Sequence, residues 1–80
     1  MVQRKRFDAP GDYSIAVAAE RMKDGRWSAV STIQHATPTG ERNIDLPISD
    51  ARFATEEEAE RFEVSRATEW IEKNAPKGGG

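Results

Sequence analysis

The chain has 80 residues, a formal net charge of −2 and no cysteine. A domain of this size hides only about 60 to 65% of its unfolded surface, so its core is thin and a partner would help it. The missing cysteine excludes disulfides, thiolate nucleophiles and cysteine-based metal sites, and the near balance of acids and bases argues against a strong non-specific polyanion binder.

Residues 1–12 carry Arg4, Lys5 and Arg6, then Asp8, Pro10, Gly11 and Asp12. That composition predicts a solvated basic arm ending in a turn. No apolar run of an export signal follows it, and nowhere is there an apolar stretch long enough to span a membrane. A cytoplasmic protein with no membrane partner is expected.

From Tyr13 to Met22 the odd positions Tyr13, Ile15, Val17 and Ala19 are apolar, the alternation of a half-buried strand, although the many alanines keep a helix in competition. Lys23, Asp24 and Gly25 break the run, and Arg26 to His35 alternates again around Trp27, Ala29 and Ile33. Two strands about an Asp-Gly turn make a hairpin. A two-residue loop would put Trp27 and Ile33 on the opposite face from Ile15 and Val17. A three-residue loop, a type I turn followed by left-handed Gly25, pairs Arg21 with Trp27, Val17 with Ser31 and Ile15 with Ile33. The second register gathers the large apolar side chains on one face and is the one expected.

The other face is then Ser14, Ala16, Ala18, Glu20, Ser28, Val30, Thr32 and Gln34, small and nearly uncharged. Such a face is either solvated or covered by a second copy of itself, and Ala16, Ala18, Ser28, Val30 and Thr32 are the candidate dimer contacts.

Residues 36–43 contain Thr37-Pro38-Thr39-Gly40 and read as a loop, after which Ile44, Leu46 and Ile48 alternate as a third strand. Pro47 cannot donate to a ladder, so this strand should lie at an edge or break there. Ser49-Asp50 turns the chain and Phe53 points inward.

Thr55 followed by Glu56, Glu57 and Glu58 is a helix start, with a capping box and three acids at the positive end of the dipole. Nothing breaks the run before Pro76, so the helix should reach Asn74 and measure roughly 28 Å. Phe62, Ala59, Trp70, Ala67, Ile71 and Val64 share a broad apolar arc. Glu63 and Arg66 interrupt its middle. They either snorkel or pair with each other, or reach a polar partner on whatever the helix covers or on another subunit.

No catalytic constellation emerges. His35 ends a strand with no motif around it, and the acids Glu56 to Glu60 sit on a solvated helix start, where their chemistry is ordinary. An enzyme would need a pocket joining His35 to Glu63 or Arg21. Trp27 and Trp70 could stack a ligand, but the register sends both into the sheet-helix interface as core. Gly78 to Gly80 precede nothing, so no phosphate loop exists, and neither zinc nor EF-hand spacing is found.

At Asp24-Gly25-Arg26-Trp27, Gly40-Glu41-Arg42 and residues 53–60, the chain resembles a group of small proteobacterial proteins. In that group a hairpin about an Asp-Gly turn precedes a helix with a Trp-Ile pair near its end, here Trp70-Ile71. The group implies no activity. The order of the same motifs is also similar to the three-stranded-sheet-plus-helix DNA-binding arm domains of phage-type integrases, which lay the sheet face in the major groove. Those domains carry basic residues on that face, whereas the hairpin positions here include neither Lys nor Arg.

The reading is therefore a three-stranded antiparallel sheet packed on one long C-terminal helix, an α+β domain over residues 13–74 with a tail at 75–80. The function expected is a non-enzymatic interaction module and homo-oligomer, with no catalytic, cofactor or metal residues. The alternative is a nucleic-acid binder using the open sheet face or Arg4, Lys5, Arg6 and Arg26.

Overall fold

The computed structural model describes residues 2–9 and 11–74. The expected tail at 75–80 lies outside the described residues. The elements are β1 (Val2–Asp8), β2 (Tyr13–Arg21), β3 (Trp27–Thr37), β4 (Gly40–Asp45) and α1 (Glu56–Asn74). The strands form one antiparallel meander in the order β1-β2-β3-β4, and α1 packs across β2 and β3.

The α+β class and the single C-terminal helix agree with the sequence reading, but the sheet has four strands rather than three. The added strand is β1, formed by the segment expected to be a solvated arm. It runs antiparallel to β2 from Val2 opposite Glu20 to Asp8 opposite Ser14. Its three consecutive cations hide the alternation that marks a strand, yet charge suits an exposed edge, where it discourages pairing with stray chains. Phe7, opposite Ile15, packs against the core, and Lys5, opposite Val17, reaches over the same face to α1.

The hairpin takes the expected register, with Arg21 opposite Trp27, Val17 opposite Ser31 and Ile15 opposite Ile33. Gly25 N–H donates to Met22 O at 3.0 Å, closing the type I turn, and Gly25 takes a positive φ of 88°. The Arg26 amide donates to Asp24 Oδ1 at 2.9 Å, which braces the turn from its side chain.

β4 lies at the sheet edge but spans Gly40–Asp45 rather than Ile44 to Ile48. Residues 36 and 37 extend β3 and 40–43 pair with it, so the expected loop over 36–43 shrinks to the turn between Thr37 and Gly40. The strand breaks before Pro47, which has no amide to donate. Leu46 is buried, but Ile48 is 81% exposed and so does not continue the alternation inward. Residues 46–54 instead cross back as a strap and return to β3, where Trp27 and Phe53 exchange backbone hydrogen bonds of 2.7 and 2.9 Å. Phe53 then packs on Phe62 with centroids 5.0 Å apart.

Thr55 Oγ1 accepts from the Glu58 amide at 3.2 Å and donates to Glu58 Oε1 at 3.1 Å, so hydroxyl and carboxylate cap one another. Helix and sheet meet over Ile15, Val17, Ala19, Ala29, Ile33, Ala59, Ala67 and Ile71. Ala59 and Ala67 are fully buried, whereas Phe62, Val64 and Trp70 are half-buried at the flanks. The apolar arc is thus centred differently from its hydrophobicity: small residues let the helix axis approach the sheet, and the large rings close the sides.

Between the two alanines lies Glu63, 1% exposed. Ser31 Oγ on β3 donates to its Oε1 at 2.8 Å and Arg66 donates to its Oε2 at 2.7 Å. Arg66 also donates to Pro47 O at 2.6 Å and stands over the Phe62 ring, tying the strap to the helix. Both expected arrangements hold together: the pair forms within the helix, and a polar partner waits on the sheet.

Candidate functional site

In an antiparallel sheet, residues directly opposite one another point to the same side, and that side alternates along each strand. Because Ile15, Val17, Ala29, Ser31 and Ile33 face α1, the residues between them face away from it. The expected face is therefore real: Ala16, Ala18, Ser28 and Thr32 are half-buried, and Val30 is 41% exposed. Among the described residues no helix covers this side. Outside the sheet, the described residues that adjoin it belong to the strap.

β1 and β4 change the character of this open face. Arg4 lies opposite Ala18 and Arg6 opposite Ala16, so two cations join one side of it. On the other side Asp45 stands opposite Thr32, Asn43 opposite Gln34 and Glu41 opposite Ala36. Glu20 at the end of β2 and Asp8 at the end of β1 add acids to the same face. The face is neutral and small in its middle, basic along β1 and acidic along β4.

The middle is stitched by polar contacts that the small residues permit. Arg6 Nη2 reaches across β2, over Ala16, to donate to Gln34 Oε1 on β3, and Ser14 Oγ donates to the same oxygen at 3.3 Å. Thr32 Oγ1 donates to Asp45 Oδ1 at 2.7 Å. Among the described residues no further hydrogen bond engages Asp45 Oδ2 or the remaining Arg6 donors.

Two hollows adjoin on this face. One, of about 280 Å³, lies over Ala16 and Ala18 beside Arg4. The other, of about 380 Å³, lies between Val30, Ser28 and Met22 and the strap residues Ile48 and Arg52. Among the described residues the exposed large apolar side chains are Val30 and Ile48, and both line this second hollow.

The other residues singled out from the sequence are not brought together. Lys5 projects to the helix side, where its ammonium meets Glu60 Oε1 at 3.1 Å. The hydrogen bond to Glu60, reinforced by its charge, raises the Lys5 pKa above the usual lysine value. Arg26 sits in the β2–β3 turn beside Asp24 at 3.6 Å. The four cations considered for nucleic acid thus divide among two faces and a turn. His35 is stacked on Tyr13, with ring centroids 4.1 Å apart and planes 6° from parallel. Glu63 is engaged by Ser31, and Arg21 stands at the opposite end of β2, so neither meets His35. Trp27 and Trp70 pack against the core. No group of three or more metal-ligating side chains gathers among the described residues, and no helix there is long and apolar enough to cross a membrane.

Sequence reasoning missed the charged borders because the basic one depends on β1 joining the sheet and the acidic one on residues 40–43, expected in a loop, pairing with β3. The one available signal was Phe7, an aromatic residue two positions from Lys5 within a run otherwise read as arm.

A family model described as "Domain of unknown function (DUF6566)" matches residues 3–79. No curated protein matches the chain, and no solved structure matches it.

Proposed function

The chain belongs to the DUF6566 family, whose model spans it from residue 3 to residue 79, and for it we propose a non-enzymatic protein-interaction module of the cytoplasm that works as a homodimer through the open sheet face. The observation that carries this reading is the convergence of Val30 and Ile48, exposed and apolar, on a hollow in a face whose other central residues are Ala16, Ala18, Ser28 and Thr32. Small side chains let two sheets approach closely, and a thin core gains from a second copy. The contact would bury about 500 to 800 Å² per copy, at or below the standard size, so affinity in the micromolar range is expected.

Arg4 and Arg6 favour a second reading, nucleic-acid binding, because they add cations to a face that the hairpin alone leaves without any. Asp8, Glu20, Glu41 and Asp45 weigh against it, since they point to the same side and would meet phosphates with like charge. Labelled duplex and single-stranded DNA tested at two salt concentrations separate the readings, because phosphate engagement gives a steep salt slope. The homodimer reading expects no binding at low salt.

Val30→Lys tests the homodimer. It places a cation at the centre of the contact on the side away from the core. The variant should sediment as a folded monomer where the wild type is dimeric. A variant that keeps the wild-type dimer refutes the assignment of this face.

A further inference from the structure

We infer that the two copies meet about a two-fold axis parallel to the strands, each Arg6 facing Asp45 of the partner and each Ile48 turned toward the partner's Ala16–Ala18 hollow. This rests on the homodimer reading and specifies its geometry. The argument begins with one cross-strand row. Arg6 lies opposite Ala16, Ala16 opposite Thr32, and Thr32 opposite Asp45, so cation and anion occupy the two ends of one line across the sheet. With strands about 4.8 Å apart the ends are about 14 Å from each other, too far to pair within one chain.

Two sheets stacked face to face can be related by a two-fold axis lying between them in either of two principal directions. An axis perpendicular to the strands lays β1 on the partner's β1 and β4 on the partner's β4. On β4 the open-face residues Glu41, Asn43 and Asp45 would then meet only one another and find no cation, while on β1 the one opposite charge offered to Arg4 and Arg6 would be Asp8. An axis parallel to the strands reverses the strand order while preserving position along them. β1 then lies over the partner's β4, and Arg6 meets Asp45 twice by symmetry. Charge at the borders contributes modestly to affinity, but it decides between these two arrangements.

The apolar relief agrees with the same axis. Ile48 stands out on the β3 and β4 side, beside Val30. The hollow over Ala16 and Ala18 is centred on β2, bordered by Arg4 on β1 and by Val30 and Thr32 on β3, and Ala18 and Val30 share one row. Reversing the strand order brings the projection of each copy toward the hollow of the other. In the free chain Arg6 spends one donor on Gln34 and Asp45 one oxygen on Thr32. Both side chains are exposed and retain partners to offer.

The test is charge reversal read by sedimentation. Arg6→Asp and Asp45→Arg alone each turn two attractive contacts into two repulsive ones, and each should weaken the dimer about ten-fold at low salt, less at high salt. The double variant restores both contacts and should return to within about three-fold of the wild type. If the wild type dimerises and the single reversals change nothing, the axis is wrong while the homodimer stands. If the wild type is monomeric, the underlying reading falls with it. Because the chain has no cysteine, a second measurement is clean: Arg6→Cys combined with Asp45→Cys should form covalent dimers with a short thiol cross-linker. Each single cysteine variant should not. Cross-linking of Arg6→Cys alone would show the other axis.

Discussion

Arg66→Ala is the substitution that most severely tests the account of the core. It removes the cation from Glu63 Oε2, leaving a carboxylate only 1% exposed with Ser31 Oγ as its one donor. Breaking a buried ion pair from one side costs about 3 to 5 kcal/mol, because the remaining charge is not rehydrated. Arg66 itself is 25% exposed at its side chain, so water can follow it part of the way, and the Ser31 bond survives. A loss of about 2 to 3 kcal/mol is expected, against a total of about 4 to 12 kcal/mol for a domain of this length. The converse change should be milder. Glu63→Met with Ser31→Ala fills the site with apolar volume and leaves a half-buried cation free to turn to solvent, at a cost of under about 1.5 kcal/mol. Urea unfolding followed by tryptophan fluorescence, at one fixed protein concentration, measures both. If Arg66→Ala costs less than about 0.5 kcal/mol with an unchanged slope, Glu63 is hydrated and the account of the helix-sheet contact is wrong.

Ile33→Ala, at a position with no exposure, should cost about 3 to 5 kcal/mol, and Phe62→Ala, half-buried at the flank, clearly less; the same melts check the ranking, and its reversal would displace the core toward the aromatic flank. The Lys5 pair gives a pH test. Its raised pKa means that its contribution is fully present below the ordinary lysine value and is lost as pH rises through the higher folded value. The difference in melting temperature between wild type and Lys5→Gln should therefore be constant from neutral to mildly alkaline pH and vanish in strong alkali. A difference that grows with alkalinity would contradict the pairing with Glu60.

What could be read in the chain followed from local rules. Asp24-Gly25 limits the turn to few conformations, and only one register put Ile15, Val17 and Ile33 on one side, so the hairpin was legible residue by residue. The helix was legible for the same reason, with Thr55 and Glu58 marking its start and no breaker before its end. β1 was not. Arg4, Lys5 and Arg6 point alternately away from and toward α1, and the partner that accepts Lys5 is Glu60, distant in sequence. A charge satisfied across the fold looks solvated in the sequence. Glu63 hid in the same way, since nothing near it announces that Ser31 will lie beneath. The open face was half legible: its small centre came from the hairpin alternation, whereas the cations of its border arrived only with β1.

The account rests most directly on whether the open face joins two copies, and sedimentation equilibrium of the wild-type protein over a concentration series measures that. The predicted result is a reversible monomer–dimer equilibrium in the micromolar range, abolished by Val30→Lys without loss of secondary structure. A wild type that remains monomeric at high micromolar concentration, or a dimer indifferent to Val30→Lys, would contradict it.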